Sequence, residues 1–108
     1  MKSFQQLLDE TRKAEDMQEL EAAADLFQYG AEKGYYSIKQ AHDFNNVYWE
    51  MKDRFLAFEL GKTIKTNTLD LIAIVKNAPM NIKENENELY SYVNGRLKAL
   101  KGNGKKIF

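Results

Sequence analysis

Cysteine is absent from this 108-residue chain. Disulfides, thiolate metal sites and a cysteine nucleophile are thereby excluded, and the lack agrees with a reducing cytoplasm, the expected location. Histidine occurs once, at His42, and proline once, at Pro79. A lone histidine with no thiol to activate, beside serines that have no recognisable partner, speaks against triad chemistry. No glycine-rich phosphate loop is present, so nothing supports a nucleotide fold. Internal repeats and low-complexity tracts are also missing. The opening MKSFQQLLDE carries one lysine and no apolar run of seven residues, so it reads neither as a secretory signal nor as a membrane span.

What is present is the composition of a soluble globular protein, with 44% apolar, 12% aromatic and 30% charged residues. Formal charge sums to zero but is polarised. Residues 1–32 hold eight acids against three bases, five net negative, while residues 89–108 hold five bases and no acid. That polarity can steer an anionic partner to one end or bring two copies together head to tail.

The organising stretch is SIKQAHDFNNVYWEMKDRFLAFEL, residues 37–60, bracketed by Gly34 and Gly61. Ala41, Phe44, Tyr48, Met51, Phe55 and Phe58 recur at steps of three and four, one face of a helix. Val47 widens the seam on one side, and Ile38, Trp49, Leu56 and Leu60 widen it on the other. Lys39, Asp43, Asn46, Glu50, Asp53 and Ala57 form the stripe expected to face water.

Around this spine the start signals repeat. Ser3 with Gln6, Asp16 with Glu19, Ser37 with Gln40 and Asn81 with Glu84 have capping-box spacing. The first opens a short helix with Phe4, Leu7, Leu8 and Thr11 inward. The second opens a helix with Met17, Leu20, Ala24, Phe27 and Ala31 inward and Gln18, Glu21, Asp25, Gln28 and Glu32 outward. A break is expected near residues 14–16 because the two seams are out of register. Ala22, Ala23, Ala24, Gly30 and Ala31 leave the second helix thin on one side, where the aromatic helix can lie close. Gly34 supplies a left-handed helix stop. Residues 63–78 are open between helix and strand; Asn67 and Asp70 start and Pro79 ends the helical version, which is preferred because no strand exists to pair with. In residues 81–100, acids lead and bases trail as a helix dipole favours, with Ile82, Leu89, Val93, Leu97 and Leu100 inward. Asn94-Gly95 opposes this as a hairpin signal.

The expected fold is all-α, a compact bundle of four to five helices around the central aromatic helix at about 37–60. One domain is expected over 1–101, with a flexible basic tail at 102–108, and a short β-hairpin near 89–100 is the runner-up.

Three functions compete. Glu50 and Asp53 in WEMKD resemble one half of the paired ExxE and ExxD turns with which all-helical nucleotide pyrophosphatases of the MazG type hold magnesium. The resemblance implies a magnesium-dependent hydrolase with Asp16 and Glu19 as the other pair. DMQE departs from two glutamates, however, and Glu19, Glu50 and Asp53 all fall opposite the apolar seams, whereas metal ligands must converge. Residues 79–108 loosely resemble the end of a winged helix-turn-helix, with VNGRLKAL in the place of the recognition helix. That resemblance implies nucleic-acid contact by Arg96, Lys98, Lys101, Lys105 and Lys106. The third reading takes the aromatic surplus as an interaction surface formed by Trp49, Leu56, Leu60, Tyr35 and Tyr36. It is preferred: a small non-enzymatic helical interaction protein without cofactor, metal or membrane association, binding another protein or forming a homodimer. By composition alone it is similar to the inhibitors, antitoxins and immunity proteins of bacteria and phages.

Overall fold

The computed structural model describes the backbone of residues 3–107 and the side chains of residues 3–100. The protein is all-α. Its described elements are α1 (Phe4–Arg12), α2 (Met17–Glu32), α3 (Ile38–Leu60), α4 (Thr68–Asn77), α5 (Met80–Lys83) and α6 (Glu86–Ile107). None of them is long and apolar enough to cross a membrane. The chain divides into two compact units, Met1–Phe55 and Leu56–Phe108, and α3 contributes to both.

In the first unit the caps form as their spacing requires. Gln6 N donates to Ser3 Oγ and Ser3 N to Gln6 Oε1, and Ser37 and Gln40 repeat this reciprocal pair. Asp16 Oδ1 accepts from Glu19 N, but Glu19 reaches past Asp16 to accept from Glu15 N. Each such cap is worth about 1 kcal/mol. Gly34 lies at φ 76°, the left-handed conformation expected of it. Leu7, Leu8, Ala23, Phe44 and Val47 form the core, with Phe4, Phe27, Tyr36 and Tyr48 packed on it. A buried leucine or phenylalanine contributes about 1.5–3 kcal/mol. Thr11 is fully buried, and its hydroxyl donates to Leu7 O at 2.7 Å.

In the second unit Ala57, Leu60, Ile64, Leu71, Ile74, Val75, Leu89 and Val93 are buried together. Residues 68–77 are helical, with Asn67 Oδ1 accepting from Leu69 N. Lys83 is buried, and its ammonium donates to Lys76 O near the C-terminal end of α4, where the helix dipole favours a cation.

Several expectations are corrected. Ala57 and Asp53, assigned to the wet stripe, are buried, whereas Phe58 is half exposed and Ile38 is 81% exposed. The buried face therefore shifts along α3, because different neighbours cover its two ends. Leu100 also lies outside the core at 50% exposure. Asn81 caps nothing: Pro79 begins the single turn of α5, and Asn85 starts α6 by accepting from Glu88 N at 3.0 Å. Asn94-Gly95 makes no hairpin, since α6 runs through both. Leu89 and Val93, one helical turn apart in the core, override the local turn preference.

Candidate functional site

The first unit contains a column of aromatic rings. Phe4 lies 5.5 Å from Tyr36, Tyr36 stacks on Phe27 at 4.9 Å, and Phe27 stacks on Phe44 at 4.1 Å. Tyr48 follows Phe44 at 6.4 Å, and Trp49 meets Tyr48 edge-on. Such ring pairs add about 0.5–1.5 kcal/mol beyond their buried area. Gly30 makes the column possible, because a Cβ there would collide with the Tyr36 ring. The thin side of α2 thus accommodates an aromatic ring.

At the Tyr48 end the column closes on a polar cluster. Tyr48 Oη donates to Glu21 Oε1 at 2.8 Å, and Lys52 Nζ donates to Tyr48 Oη at 2.9 Å and to Glu21 Oε1 at 3.2 Å. The ammonium also lies 5.3 Å and 5.4 Å from the Tyr48 and Trp49 ring centres. Burial pushes the Tyr48 hydroxyl above its ordinary pKa; the Lys52 hydrogen bond opposes this and Glu21 reinforces it. Burial pulls Lys52 down, but hydrogen bonds to Tyr48 and Glu21 and their charge outweigh it, so its pKa is raised. At neutral pH both groups hold their protons. The cluster therefore offers neither a tyrosinate nor a free amine, and its work is to clamp α2 to α3.

Beside the column lies an open groove of about 450 Å³. α2 contributes Ala24, Phe27 and Gln28; α3 contributes Ile38, Ala41, His42, Phe44, Asn45 and Tyr48. Its floor is aromatic, its sides are small, and Gln28, His42 and Asn45 are polar groups at its exposed edge. No lining residue is Asp, Glu, Lys or Arg. The groove suits the apolar side chains of another protein segment better than a charged metabolite.

The residues anticipated for partner binding scatter. Leu60 is buried and Leu56 packs on the same core, both in the second unit. Tyr36 is stacked within the first unit, where Trp49 is half-buried beside Lys52; Tyr35 is 50% exposed. Of the groove residues, the sequence marked Ala41, Phe44 and Tyr48 as the aromatic seam and Ile38 as its widening, Ala24 and Phe27 as inward on α2, and Gln28 as outward. Asn45 carried no signal, and nothing in the α3 pattern says which third of its circumference stays uncovered.

For nucleic acid, Arg96 and Lys98 are exposed on α6, while the side chains of Lys101, Lys105 and Lys106 lie outside the described residues. The turn needed ahead of VNGRLKAL is replaced by continuous helix, and α6 runs on through residues 102–107. For magnesium, Asp53 is buried, Glu50 is exposed, and Asp16 and Glu19 are occupied as caps. Among the described residues no group of three or more His, Asp or Glu side chains has a metal-holding arrangement. Comparison of the chain with protein-family models, with curated proteins and with solved structures gives no match.

Proposed function

We propose that the protein is a non-enzymatic interaction module, an accessory factor of the reducing cytoplasm that works by presenting the α2/α3 groove to an apolar protein surface. The observation that carries this reading is the groove itself, with an aromatic floor, small sides and Ile38 at 81% exposure beside it. Burying such a side chain favours association by about 1.5–3 kcal/mol, and aromatic groups concentrate in the centres of protein interfaces. The occupant is another protein or a second copy of the chain.

Photo-crosslinking in a lysate of the source organism tests it. A photoreactive residue at position 42, beside the groove, is expected to give a discrete protein adduct. The same residue at exposed position 5, on α1, is expected to give none. Adducts of equal yield from both positions, or none from position 42, contradict the reading.

A further inference from the structure

The charge of the second unit is gathered at one end. The Lys83 ammonium on Lys76 O holds the turn of α5 beside the last residues of α4, and α6 starts three residues later, at Glu86. α4 and α6 bury Leu71, Val75, Leu89 and Val93 in one core. They therefore run antiparallel, and α6 travels toward the end of the unit where α4 begins. Lys76, Lys83, Glu84, Glu86 and Glu88 lie at the near end, two bases against three acids. At the far end Glu59 and Asp70 stand against seven bases: Lys62 and Lys65 between α3 and α4, and Arg96, Lys98, Lys101, Lys105 and Lys106 along α6. No other charge occurs in residues 56–108. Lys62 pairs with Glu59 at 3.1 Å, while Lys65, Arg96 and Lys98 are exposed and make no ion pair among the described residues.

The same end carries apolar surface that the core does not use. Along α6, Leu89 and Val93 are buried, Leu97 is partly buried and Leu100 is half exposed, so their shared stripe emerges from the core. Helical register continues that stripe through Gly104 and Ile107. Lys98, Lys101 and Lys105 recur at steps of three and four on another stripe, roughly a third of the way round the helix. In the first turn of α4, Leu69 is 75% exposed. Bases alongside an emerging apolar stripe are the pattern of a helix that rests on a negatively charged bilayer.

We infer that this end of the second unit docks on an anionic lipid surface, its bases among the headgroups and Leu69 and Leu100 at the boundary with the acyl chains. A cytoplasmic leaflet presents such a surface. Phosphate contact with nucleic acid engages the charges alone and leaves both leucines in water. The contact is with a surface and not a span, as none of the described helices is long and apolar enough to cross a membrane. The expectation of no membrane association came from the lack of a signal or span and does not bear on it. The docking is also independent of the α2/α3 groove.

Flotation of the full chain with phosphatidylcholine vesicles containing about one quarter phosphatidylserine tests this. The protein should float with them at about 0.1 M salt, stay behind with phosphatidylcholine alone, and be released as salt rises to about 0.5 M. Lys65→Gln and Lys98→Gln should each lower partitioning by about fivefold. Leu100→Gln, which keeps the charge, should lower it by about threefold or more. Lys76→Gln, at the opposite end, should leave it unchanged. All four positions are exposed, and circular dichroism checks that each variant is folded. Failure to float with anionic vesicles, equal flotation with neutral ones, or equal losses from Lys76→Gln and Lys98→Gln overturns the proposal. So does binding that ignores Leu100→Gln while a DNA duplex at matched phosphate concentration binds more tightly, since that is contact by charge alone.

Discussion

The Tyr48 hydroxyl lies 2.8 Å from the Glu21 carboxylate, a hydrogen bond between residues 27 apart in sequence that ties α3 to α2 at the closed end of the aromatic column. Lys52 joins both partners, so the clamp is a three-body arrangement whose members stabilise one another. Tyr48→Phe and Glu21→Gln are each expected to lower stability by about 0.5–1.5 kcal/mol, below the range for buried charge-assisted bonds because the cluster is partly solvated. Denaturant titration measures this. The double variant should lose clearly less than the sum, since both changes act on the same bond.

The clamp also sets an alkaline limit. Tyr48 and Lys52 both have raised pKa values in the folded protein. A group with a raised folded pKa binds more protons in the native than in the unfolded state. Its stabilisation is complete below the unfolded value and is lost as pH rises through the folded one. The window therefore opens at about pH 10, the ordinary tyrosine and lysine range. Stability at neutral pH should be insensitive to these two groups, and it should fall above pH 10 more steeply in wild type than in Tyr48→Phe. Following the tyrosinate absorbance band should show a component that ionises above the ordinary tyrosine pKa and is missing from Tyr48→Phe.

Two glycines inside helices should respond in opposite directions. Replacing Gly30 by alanine drives a Cβ into the Tyr36 ring, which is held between Phe4 and Phe27. The overpacking cost of about 1–3 kcal/mol exceeds the helix-propensity gain of about 1 kcal/mol. Gly95→Ala in α6 meets nothing within 4 Å, so it should stabilise by up to about 1 kcal/mol. Thermal unfolding distinguishes the two.

The start of α6 offers a further test. Asn85→Ala removes the side chain that accepts from Glu88 N and should cost about 1 kcal/mol. Asn81→Ala, inside the single turn of α5, should be nearly silent. Equal effects from both would place the helix start elsewhere.

These cases show where sequence was legible. The caps at Ser3, Asp16, Ser37 and Asn67 and the left-handed Gly34 are local devices, complete within four residues, and were readable for that reason. Two Asn-x-x-Glu boxes stand in succession after Pro79, at Asn81 and Asn85, and spacing alone cannot choose between them. The choice falls to Asn85 because the turn that Pro79 begins ends at Glu84. The seam of α3 was right for Phe44, Val47 and Met51 and wrong for Ala57 and Phe58. A helix apolar over most of its circumference is turned by its neighbours, and their positions are long-range information. The groove was hidden for the same reason: it is defined by what leaves Ile38, Ala41 and Asn45 uncovered, and an uncovered face has no sequence period of its own.

The most direct measurement is amide NMR of the uniformly labelled protein, recorded alone over a concentration series and then in a membrane-free lysate of the source organism, which reports each backbone position that meets a partner. Shifts that move with protein or lysate concentration are predicted at Ala24, Gln28, Ala41, His42 and Asn45, with the second unit, Leu56 onward, largely still. A spectrum that changes under neither condition, or changes confined to the second unit, would contradict the groove as the interaction face.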